Sequence, residues 1–411
     1  MGSFRAVALA AAVAALVFAG CGDEDDDGGG SAAGGGGGEV IEVGASLSLT
    51  GDFAPDSKLV RDGYTMWADT VNAEGGIDVG GEKRQVELLI KDDGSDREQA
   101  VRLVESLITQ DEVDVLLSPW GSGNTSAVAP VADRYKAVMI APLAASDDIW
   151  EEGYAQLFGI LPRGSTVFWP HLEMAAELGV KRVAIVSTND VFPLLGADGA
   201  KAKAEELGIE VVAEETYPPE TVDVGGVISR VEDADPEMVI NTADANDAII
   251  FVRSLEQRNF TPGMTVLAGA VVLPELREAL GESAENLAGL TYWSRTLPYS
   301  DELFGTAEEF AAAFEEKFGY APTHDSVAAA TAGYVLGRAI EAAGSTESEA
   351  VAEALRAFDE ETVFGPVRFD DSGSNEGNFS YVVQIQGDEP KLVYPEDAAE
   401  AEVVFPVPGA R

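Results

Sequence analysis

The sequence is poor in the residues on which several classes of site depend. It has one cysteine and two histidines in 411 residues, which excludes an internal disulfide and a zinc site built from several cysteines. Only 26 Lys and Arg stand against 73 Asp and Glu, for a formal net charge of −47. Because this charge repels phosphate groups, we expect no nucleic-acid partner and no electrostatic binding to an anionic membrane.

Signatures of catalysis are missing as well. His171 follows a proline on a predicted helix, and His324 lies in a predicted loop after Pro322. Neither has a serine or cysteine nucleophile in a strand-turn-helix context, and no nucleophile elbow or H-E-x-x-H motif is present. The acidic run from Asp23 to Asp27 lies in flexible, glycine-rich chain, which makes a poor cage for a cation. We therefore predict that the protein is not an enzyme and needs no cofactor or metal.

The N-terminus has the pattern of an export signal. An apolar run of 15 residues, Ala6 to Gly20, follows Arg5. As a helix it would be about 22 Å long, shorter than the roughly 30 Å hydrocarbon core of a membrane. The tetrapeptide that ends in Cys21 resembles a bacterial lipoprotein processing box. Residues 1–20 are therefore predicted to be a signal peptide and Cys21 to be lipidated, with an unmodified cysteine as the alternative.

Residues 21–38 are predicted to form a tether. They are rich in glycine and aspartate and contain no large apolar side chain after Cys21, so they cannot contribute to a packed core. The tether would hold a folded body close to its lipid anchor. We expect an extracytoplasmic protein on the outer face of the bacterial cytoplasmic membrane.

From Glu39 onward, short β-branched runs alternate with amphipathic segments of helical length. Strands are predicted at Val40–Leu49, Gln85–Lys91, Val113–Ser118, Ala137–Ala141, Arg182–Ser187, Glu210–Glu214, Met238–Asn241 and Thr265–Gly269. The helices predicted between these strands include Gly196–Leu207 and Ala245–Arg258. This alternation predicts an α/β fold of two doubly wound, parallel-sheet lobes with helices on both faces. Consecutive helices are then predicted at Asp301–Phe318, Ser326–Ala343 and Glu347–Phe358. They must pack on an existing sheet, so we expect the chain to return to the first lobe.

A glycine-containing turn, Gly121-Ser122-Gly123, follows the predicted strand at Val113–Ser118 and opens a helix. A dinucleotide-binding motif would need a third glycine where Ser126 stands, so nucleotide binding is not predicted. Free N–H groups at a helix N-terminus, with the Ser122 hydroxyl, favour a carboxylate or another anion. Simple N-capping of the helix is the alternative.

Four ordered segments resemble the N-terminal signature of the branched-chain amino acid and amide binding proteins of ABC importers: Leu47–Phe53, Asn72–Ile77, Lys91–Asp96 and Ser118–Ser122. This resemblance implies a type I periplasmic-binding fold, in which two lobes joined by three hinge crossings close on a solute. Lobe 1 would comprise residues 39–160 and 295–365. Lobe 2 would comprise residues 161–294 and 366–411.

The resemblance also implies where a ligand binds. Lobe 1 would grip a carboxylate, and lobe 2 would close over the rest of the ligand. The residues implied are Trp120, Gly121, Ser122, Ala144 and Ser146 on lobe 1, and Asp190, Phe192 and Asp244 on lobe 2. The acid that holds the ligand ammonium in leucine-type members would fall near Val271, where this sequence has none. Either Asp244 or Asp190 replaces it, or the ligand has no α-amino group, since an unpaired ammonium in a closed cleft costs several kcal/mol.

The implied function is that of a monomeric, lipid-anchored solute receptor with no chemistry of its own. It would deliver an amino acid, an amide or a small carboxylate to the permease and ATPase subunits of an ABC importer. Ligand contacts with both lobes would drive hinge closure. The alternative is a sensor of the same fold that signals to a membrane receptor partner.

Overall fold

The computed structural model describes residues 40–410. The predicted signal peptide, the tether and the lipidation site at Cys21 lie outside the described residues. None of the helices between residues 40 and 410 is long and apolar enough to span a bilayer.

The described strands are, in chain order, β1 Ile41–Leu47, β2 Ile77–Val79, β3 Glu82–Arg84, β4 Val86–Asp92, β5 Val115–Leu117, β6 Met139–Ala141, β7 Leu157–Gly159, β8 Arg182–Thr188, β9 Glu210–Tyr217, β10 Met238–Asn241, β11 Met264–Leu267, β12 Ala288–Thr291, β13 Ser300–Asp301, β14 Gly305–Thr306, β15 Asp359–Thr362, β16 Gly365–Arg368, β17 Tyr381–Gln386 and β18 Glu389–Tyr394. The described α-helices are α1 Ala54–Ala73, α2 Arg97–Thr109, α3 Ser122–Tyr135, α4 Asp147–Glu151, α5 Trp169–Glu177, α6 Val191–Leu207, α7 Gly225–Asp233, α8 Ala245–Arg258, α9 Pro274–Leu280, α10 Ala307–Phe318, α11 His324–Ala343 and α12 Ser348–Arg356.

Two large sheets organise these elements. The first has the order β4-β1-β5-β6-β7, and its strands are parallel. The second has the order β18-β17-β12-β11-β10-β8-β9 and is parallel from β12 to β9. The predicted α/β fold with two parallel-sheet lobes is therefore confirmed. The second sheet adds two antiparallel strands, β17 and β18, at one edge.

The C-terminal helices return to the first sheet. Helix α11 packs along α1 and also contacts β6. The two helices approach so closely that a Cβ atom at Gly63 would lie 2.3 Å from the carbonyl oxygen of Ser326. A Cβ atom at Gly333 would lie 2.2 Å from the ring of Trp67. Only glycine fits at these two contacts, and the close packing buries Trp67 completely.

The chain passes between the two sheets after β7, after β12 and again between β16 and β17. These crossings are tied to one another. Gly159 N–H donates to the carbonyl oxygen of Gly373 at 2.9 Å, and Trp293 Nε1 donates to that of Val363 at 2.9 Å. The exact boundary residues between the two lobes stay a prediction.

Some element boundaries differ from the predicted ones. The helix predicted from Asp301 begins only at Ala307, because residues 300–306 form a small hairpin, β13 and β14. Thr306 then caps α10 in a capping box with Glu309, which fixes the start of that helix. Helix α6 begins at Val191, one turn before its predicted start at Gly196. Its first turn therefore carries Phe192, which the sequence had placed in a loop.

Candidate ligand-binding cleft

A cavity of about 100 Å³ lies between the two sheets. One water molecule needs roughly 10 to 15 Å³ on the same measure, so the cavity has room for a small organic molecule rather than a peptide. The lining residues with polar or aromatic side chains are Phe53, Asp56, Arg97, Trp120, Ser122, Asn124, Asp190, Phe192, Asp244, Tyr292, His324 and Asp325.

Most of the wall comes from the turns that follow parallel strands. Phe53 and Asp56 follow β1, Trp120 follows β5, Asp190 follows β8 and Asp244 follows β10. The carboxyl ends of parallel strands meet at one edge of each sheet, where open α/β folds bind their ligands. The βα alternation of the sequence therefore places these side chains together.

The N-terminus of α3 forms one side of the cavity. Gly121 precedes the helix with φ +84° and ψ 152°, a left-handed φ that favours glycine. The N–H of Thr125 makes the first bond back to the Gly121 carbonyl oxygen, at 3.1 Å. The N–H groups of residues 122–124 thus have no partner within the helix, and together with the helix dipole they favour an anionic group.

The Ser122 hydroxyl ties two loops of the first sheet together. Its oxygen accepts hydrogen bonds from the N–H groups of Ala145 at 3.0 Å and Ser146 at 3.1 Å. Those two donors are therefore already used, whereas the Ser122 hydroxyl proton remains available to a ligand. Ala145 lines the cavity, but Ala144 and Ser146, on either side of it, are not among the lining residues.

Trp120 is held in place by polar and aromatic contacts. Its Nε1 donates to Asp325 Oδ1 at 3.3 Å, and its ring lies 5.4 Å from the ring of Phe53. The second oxygen of Asp325 accepts a hydrogen bond from the Thr323 hydroxyl at 3.0 Å. The aromatic side of the cleft is therefore positioned by a buried carboxylate at the start of α11.

An ion pair crosses the cleft. Arg97 Nη2, at the start of α2, lies 2.7 Å from Asp190 Oδ2, at the start of α6. The other Asp190 oxygen accepts the Val191 N–H at 2.7 Å, and Arg97 Nε donates to Asn124 Oδ1 at 3.3 Å. Helix α2 follows a strand of the first sheet and α6 follows one of the second, so this pair joins the two walls.

Asp244 has no such partner among residues 40–410. It occupies the N-cap position of α8 without a side-chain capping hydrogen bond. Burial, together with the charges of Asp190 and Asp247, raises its pKa to about 7 against the opposing charge of Arg97. Of the two acids considered as replacements for the missing one near Val271, Asp190 is paired and Asp244 is not. Val271 itself is buried.

Asp56 is a further carboxylate on this wall. It lies in the first turn of α1. Burial raises its pKa well above the usual range, and the negative charges of Asp325 and Asp244 raise it further. The cleft therefore brings Asp56, Asp244 and Asp325 close enough for their charges to interact.

Tyr292 and His324 lie where the second crossing meets α11. The Tyr292 hydroxyl is buried and has no hydrogen-bond partner within residues 40–410. The His324 ring packs edge-on against it, 5.3 Å away, and His324 Nδ1 lies 3.3 Å from the Thr291 hydroxyl. Burial lowers the pKa of His324, which favours the neutral imidazole.

Of the eight residues predicted for the site, six line the cavity: Trp120, Gly121, Ser122, Asp190, Phe192 and Asp244. Their roles toward a ligand stay predictions. The sequence analysis missed Asp56 and Arg97, although both lie in the first turn of a helix that follows a strand, and that position could have revealed them. It also missed Tyr292, His324 and Asp325. No local pattern indicated these three, because they meet the cleft only through the return of the chain.

Comparison with known proteins identifies relatives of this chain. The curated Leu/Ile/Val-binding protein homolog 7 of Brucella suis biovar 1 is 24% identical over 384 residues, which cover 89% of this chain and 94% of the relative. The branched-chain amino acid transporter substrate binding protein LivJ from Streptococcus pneumoniae, solved with isoleucine, has a TM-score of 0.76 and 23% identity. The match covers 90% of this chain and all of that one.

A second solved structure holds a different kind of ligand. The solute binding protein of an ABC transporter from R. palustris, solved with benzoate, has a TM-score of 0.76 and 20% identity, with 89% of this chain and 99% of that one covered. Identities this low show a shared fold and not a shared ligand. The profile of the periplasmic binding protein family matches residues 40–390, so the chain belongs to that family. The resemblance seen in the sequence is confirmed at this level.

Proposed function

We propose that this periplasmic binding protein is the solute receptor of an ABC importer and that it captures a small amino-containing solute by closing two lobes on it. The observation that carries the proposal is the small cavity whose wall is shared by the two sheets and crossed by the Arg97–Asp190 ion pair. Permease and ATPase subunits would receive the solute.

Closure of the two lobes is stabilised by contacts that form in the closed state and not in the open state. In the closed state Arg97 meets Asp190, although 41% of the Arg97 side chain stays exposed. A pair exposed to this degree contributes about 0.2 to 1 kcal/mol, too little to hold the lobes together alone. A solute that touches both walls supplies the remaining free energy and shifts the equilibrium toward closure.

The polar groups suggest how an amino acid would be oriented. The free N–H groups at the start of α3 and the Ser122 hydroxyl suit a carboxylate, and Asp244 on the opposite wall suits an ammonium group. The Streptococcus pneumoniae relative was solved with isoleucine, which has both groups, and the R. palustris relative with benzoate, which has no ammonium. The unpaired Asp244 favours a ligand of the first kind.

The decisive experiment combines small-angle scattering with thermal unfolding. The purified protein is screened against amino acids, amides, amines and small carboxylates. A cognate solute lowers the radius of gyration and raises the unfolding midpoint, because it binds only the folded protein, and it is recovered unchanged. If no solute of any class produced closure or stabilisation, the proposal would be wrong.

The location is proposed from the N-terminal sequence. A lipid on Cys21 would anchor the receptor outside the cytoplasmic membrane, and the predicted tether would let it reach its permease. Replacing this residue, Cys21→Ser, should move the protein from the membrane fraction to the soluble extracytoplasmic fraction. Continued sedimentation of the variant with membranes would contradict the anchor and leave the solute-binding proposal intact.

A further inference from the structure

The cleft has an excess of negative charge that its own residues do not balance. Within the described part of the chain, four aspartates line the cavity, Asp56, Asp190, Asp244 and Asp325, against one arginine. Arg97 is engaged by Asp190 at 2.7 Å. The remaining three carboxylates face the same space, and neutral His324 offers no positive charge to them.

A second observation points to a ligand independently of these charges. The Tyr292 side chain is only 2% exposed and lines the same cavity. Its hydroxyl has no hydrogen-bond partner in the part of the chain that the structure describes. An unsatisfied buried hydroxyl is unfavourable, so this group is placed to bond with whatever fills the cavity. Its oxygen can accept a hydrogen bond from an N–H donor.

The three carboxylates that are not paired with Arg97 do not form a metal site. No group of three or more His, Cys, Asp or Glu side chains within residues 40–410 is arranged to hold a metal ion. Asp56 and Asp325 belong to α1 and α11, whereas Asp244 belongs to the opposite wall. Such spacing suits separate cationic groups on one organic molecule better than a single ion.

We propose that the solute of this receptor carries more positive than negative charge, as a diamine or a basic amino acid does. This inference rests on the proposed function and names the class of substrate. One cationic nitrogen lies near Asp56 and Asp325, beside the face of Trp120, where the aromatic ring adds a cation–π attraction. The other lies against Asp244, with the Tyr292 oxygen accepting one of the N–H bonds.

The charge count explains why a neutral amino acid fits this cleft less well. A zwitterion brings one ammonium and one carboxylate, so the local excess of negative charge is unchanged after it binds. A monocarboxylate increases that excess. A solute with two cationic nitrogens neutralises two carboxylates that are otherwise buried close to like charges, which is the more favourable arrangement inside a closed cleft.

The test uses probes that share one short carbon chain and differ in charge: putrescine, L-ornithine, L-norvaline and valerate. Dissociation constants are measured by calorimetry on the full-length protein. We expect putrescine or L-ornithine to bind at least about tenfold more tightly than L-norvaline, and valerate not to bind. Tighter binding of L-ornithine than of putrescine would identify a basic amino acid, and the reverse order would identify a diamine. Equal or tighter binding of L-norvaline would overturn the inference.

A matched pair of variants separates charge recognition from folding. Asp56→Asn should weaken the tighter of the two cationic probes by about tenfold or more, and it should change L-norvaline by much less. Asp52→Asn is the control, because Asp52 lies just before α1, is exposed and is outside the cavity, and it should change neither. Equal losses for all probes in Asp56→Asn would mean that this residue has only a structural role.

The outcomes for the two proposals are distinguishable. If neutral amino acids bind and close the protein while cationic probes do not, only the charge inference fails. If no solute of any charge binds, the proposed receptor function fails with it.

Discussion

Four aspartates lie at or after the carboxyl ends of parallel strands. Asp92 and Asp93 are here called the scaffold acids, and Asp56 and Asp244 are called the cleft acids. They differ in their hydrogen-bond donors. Burial opposes ionisation of Asp92, but donors from Gly94, Thr50 and Leu49 lower its pKa below the usual range. The pKa of each cleft acid is raised instead.

The other scaffold acid shows the same saturation by donors. Asp93 is buried and accepts hydrogen bonds from the hydroxyls of Ser46 at 2.9 Å and Ser48 at 2.6 Å, and from the Ser95 N–H at 3.0 Å. Its partners lie on β1 and in the turn after β4, so it joins two neighbouring strands. The segment Lys91–Asp96, which contributes to the resemblance to the family, is thus largely architectural.

The comparison teaches that position alone does not identify a binding carboxylate. A carboxylate surrounded by donors serves the fold, whereas one buried among like charges destabilises the empty protein and is available to a ligand.

Removing the charge of a cleft acid should damage binding and spare the fold. Asp244→Asn should weaken the affinity for L-norvaline by about 100-fold, or about 2.7 kcal/mol, since the ammonium loses its buried counter-charge. At neutral pH, the midpoint of thermal unfolding of the unliganded variant should not be lower than that of the parent. Calorimetry on the exposed variant Asp52→Asn is the control, and a loss for Asp244→Asn no larger than that for Asp52→Asn would exclude contact between Asp244 and the ammonium.

Removing a scaffold acid should do the opposite. Asp93→Ala leaves the buried hydroxyls of Ser46 and Ser48 without their acceptor and should lower the free energy of unfolding by about 3 kcal/mol. The affinity of the protein that remains folded should stay within about twofold of the parent. Urea unfolding and calorimetry measure the two effects. A variant of unchanged stability that no longer binds would break the comparison.

The cleft acids should also make binding depend on pH. Asp244, which faces Asp190, Asp247 and Arg97, has a pKa of about 7 when the cleft is empty. Its charged form binds cations, so the affinity for putrescine should rise about tenfold between about pH 6 and about pH 8 and then level off. The same measurement on Asp244→Asn should give a flatter profile.

Stability should depend on pH in the opposite direction to affinity. The unfolded carboxyl releases its proton at a lower pH than the folded one, so the folded state of the empty protein binds the additional proton below about pH 7. This group therefore lowers stability as pH rises toward that value. As the pH rises toward about 7, the midpoint of thermal unfolding should therefore change less favourably in the parent than in Asp244→Asn. A less favourable change in Asp244→Asn would contradict this prediction.

The cross-cleft pair should have the smallest effect. Arg97→Gln should change solute binding by no more than about fivefold in either direction, because a half-exposed ion pair contributes at most about 1 kcal/mol. Asp190→Asn leaves Arg97 unpaired in the cleft and should weaken cationic probes more than Arg97→Gln does. If the two variants were equivalent for putrescine, Arg97 would not contribute to the charge of the site.

Much of the fold could be predicted from sequence because its determinants are local. The run Met238–Asn241 and the helix Ala245–Arg258 have the bounds that periodicity indicated. The hairpin of residues 300–306 could not be predicted, since its strands are only two residues each. Short strands carry too few residues to set a period.

The candidate site could also be predicted in part. Trp120 and Asp244 follow strands directly, so the topology of the sheet places them at the cleft. Asp325 and Tyr292 meet the cleft through packing between segments distant in sequence, and no pattern in one chain records such a contact. Pairing also lies beyond sequence, since Asp190 and Asp244 occupy equivalent helix starts and only the structure distinguishes them by the position of Arg97.

The packing of α1 on α11 has a consequence for how the chain acquires its structure. The glycines that let the two helices touch, Gly63 and Gly333, come from opposite ends of the described sequence. The buried face of α1, with Trp67 and Tyr64, stays uncovered until α11 has been synthesised. Contacts of such long range slow folding. Fragments that end before Ser326 should therefore fail to fold, and the protein must mature as a nearly complete chain.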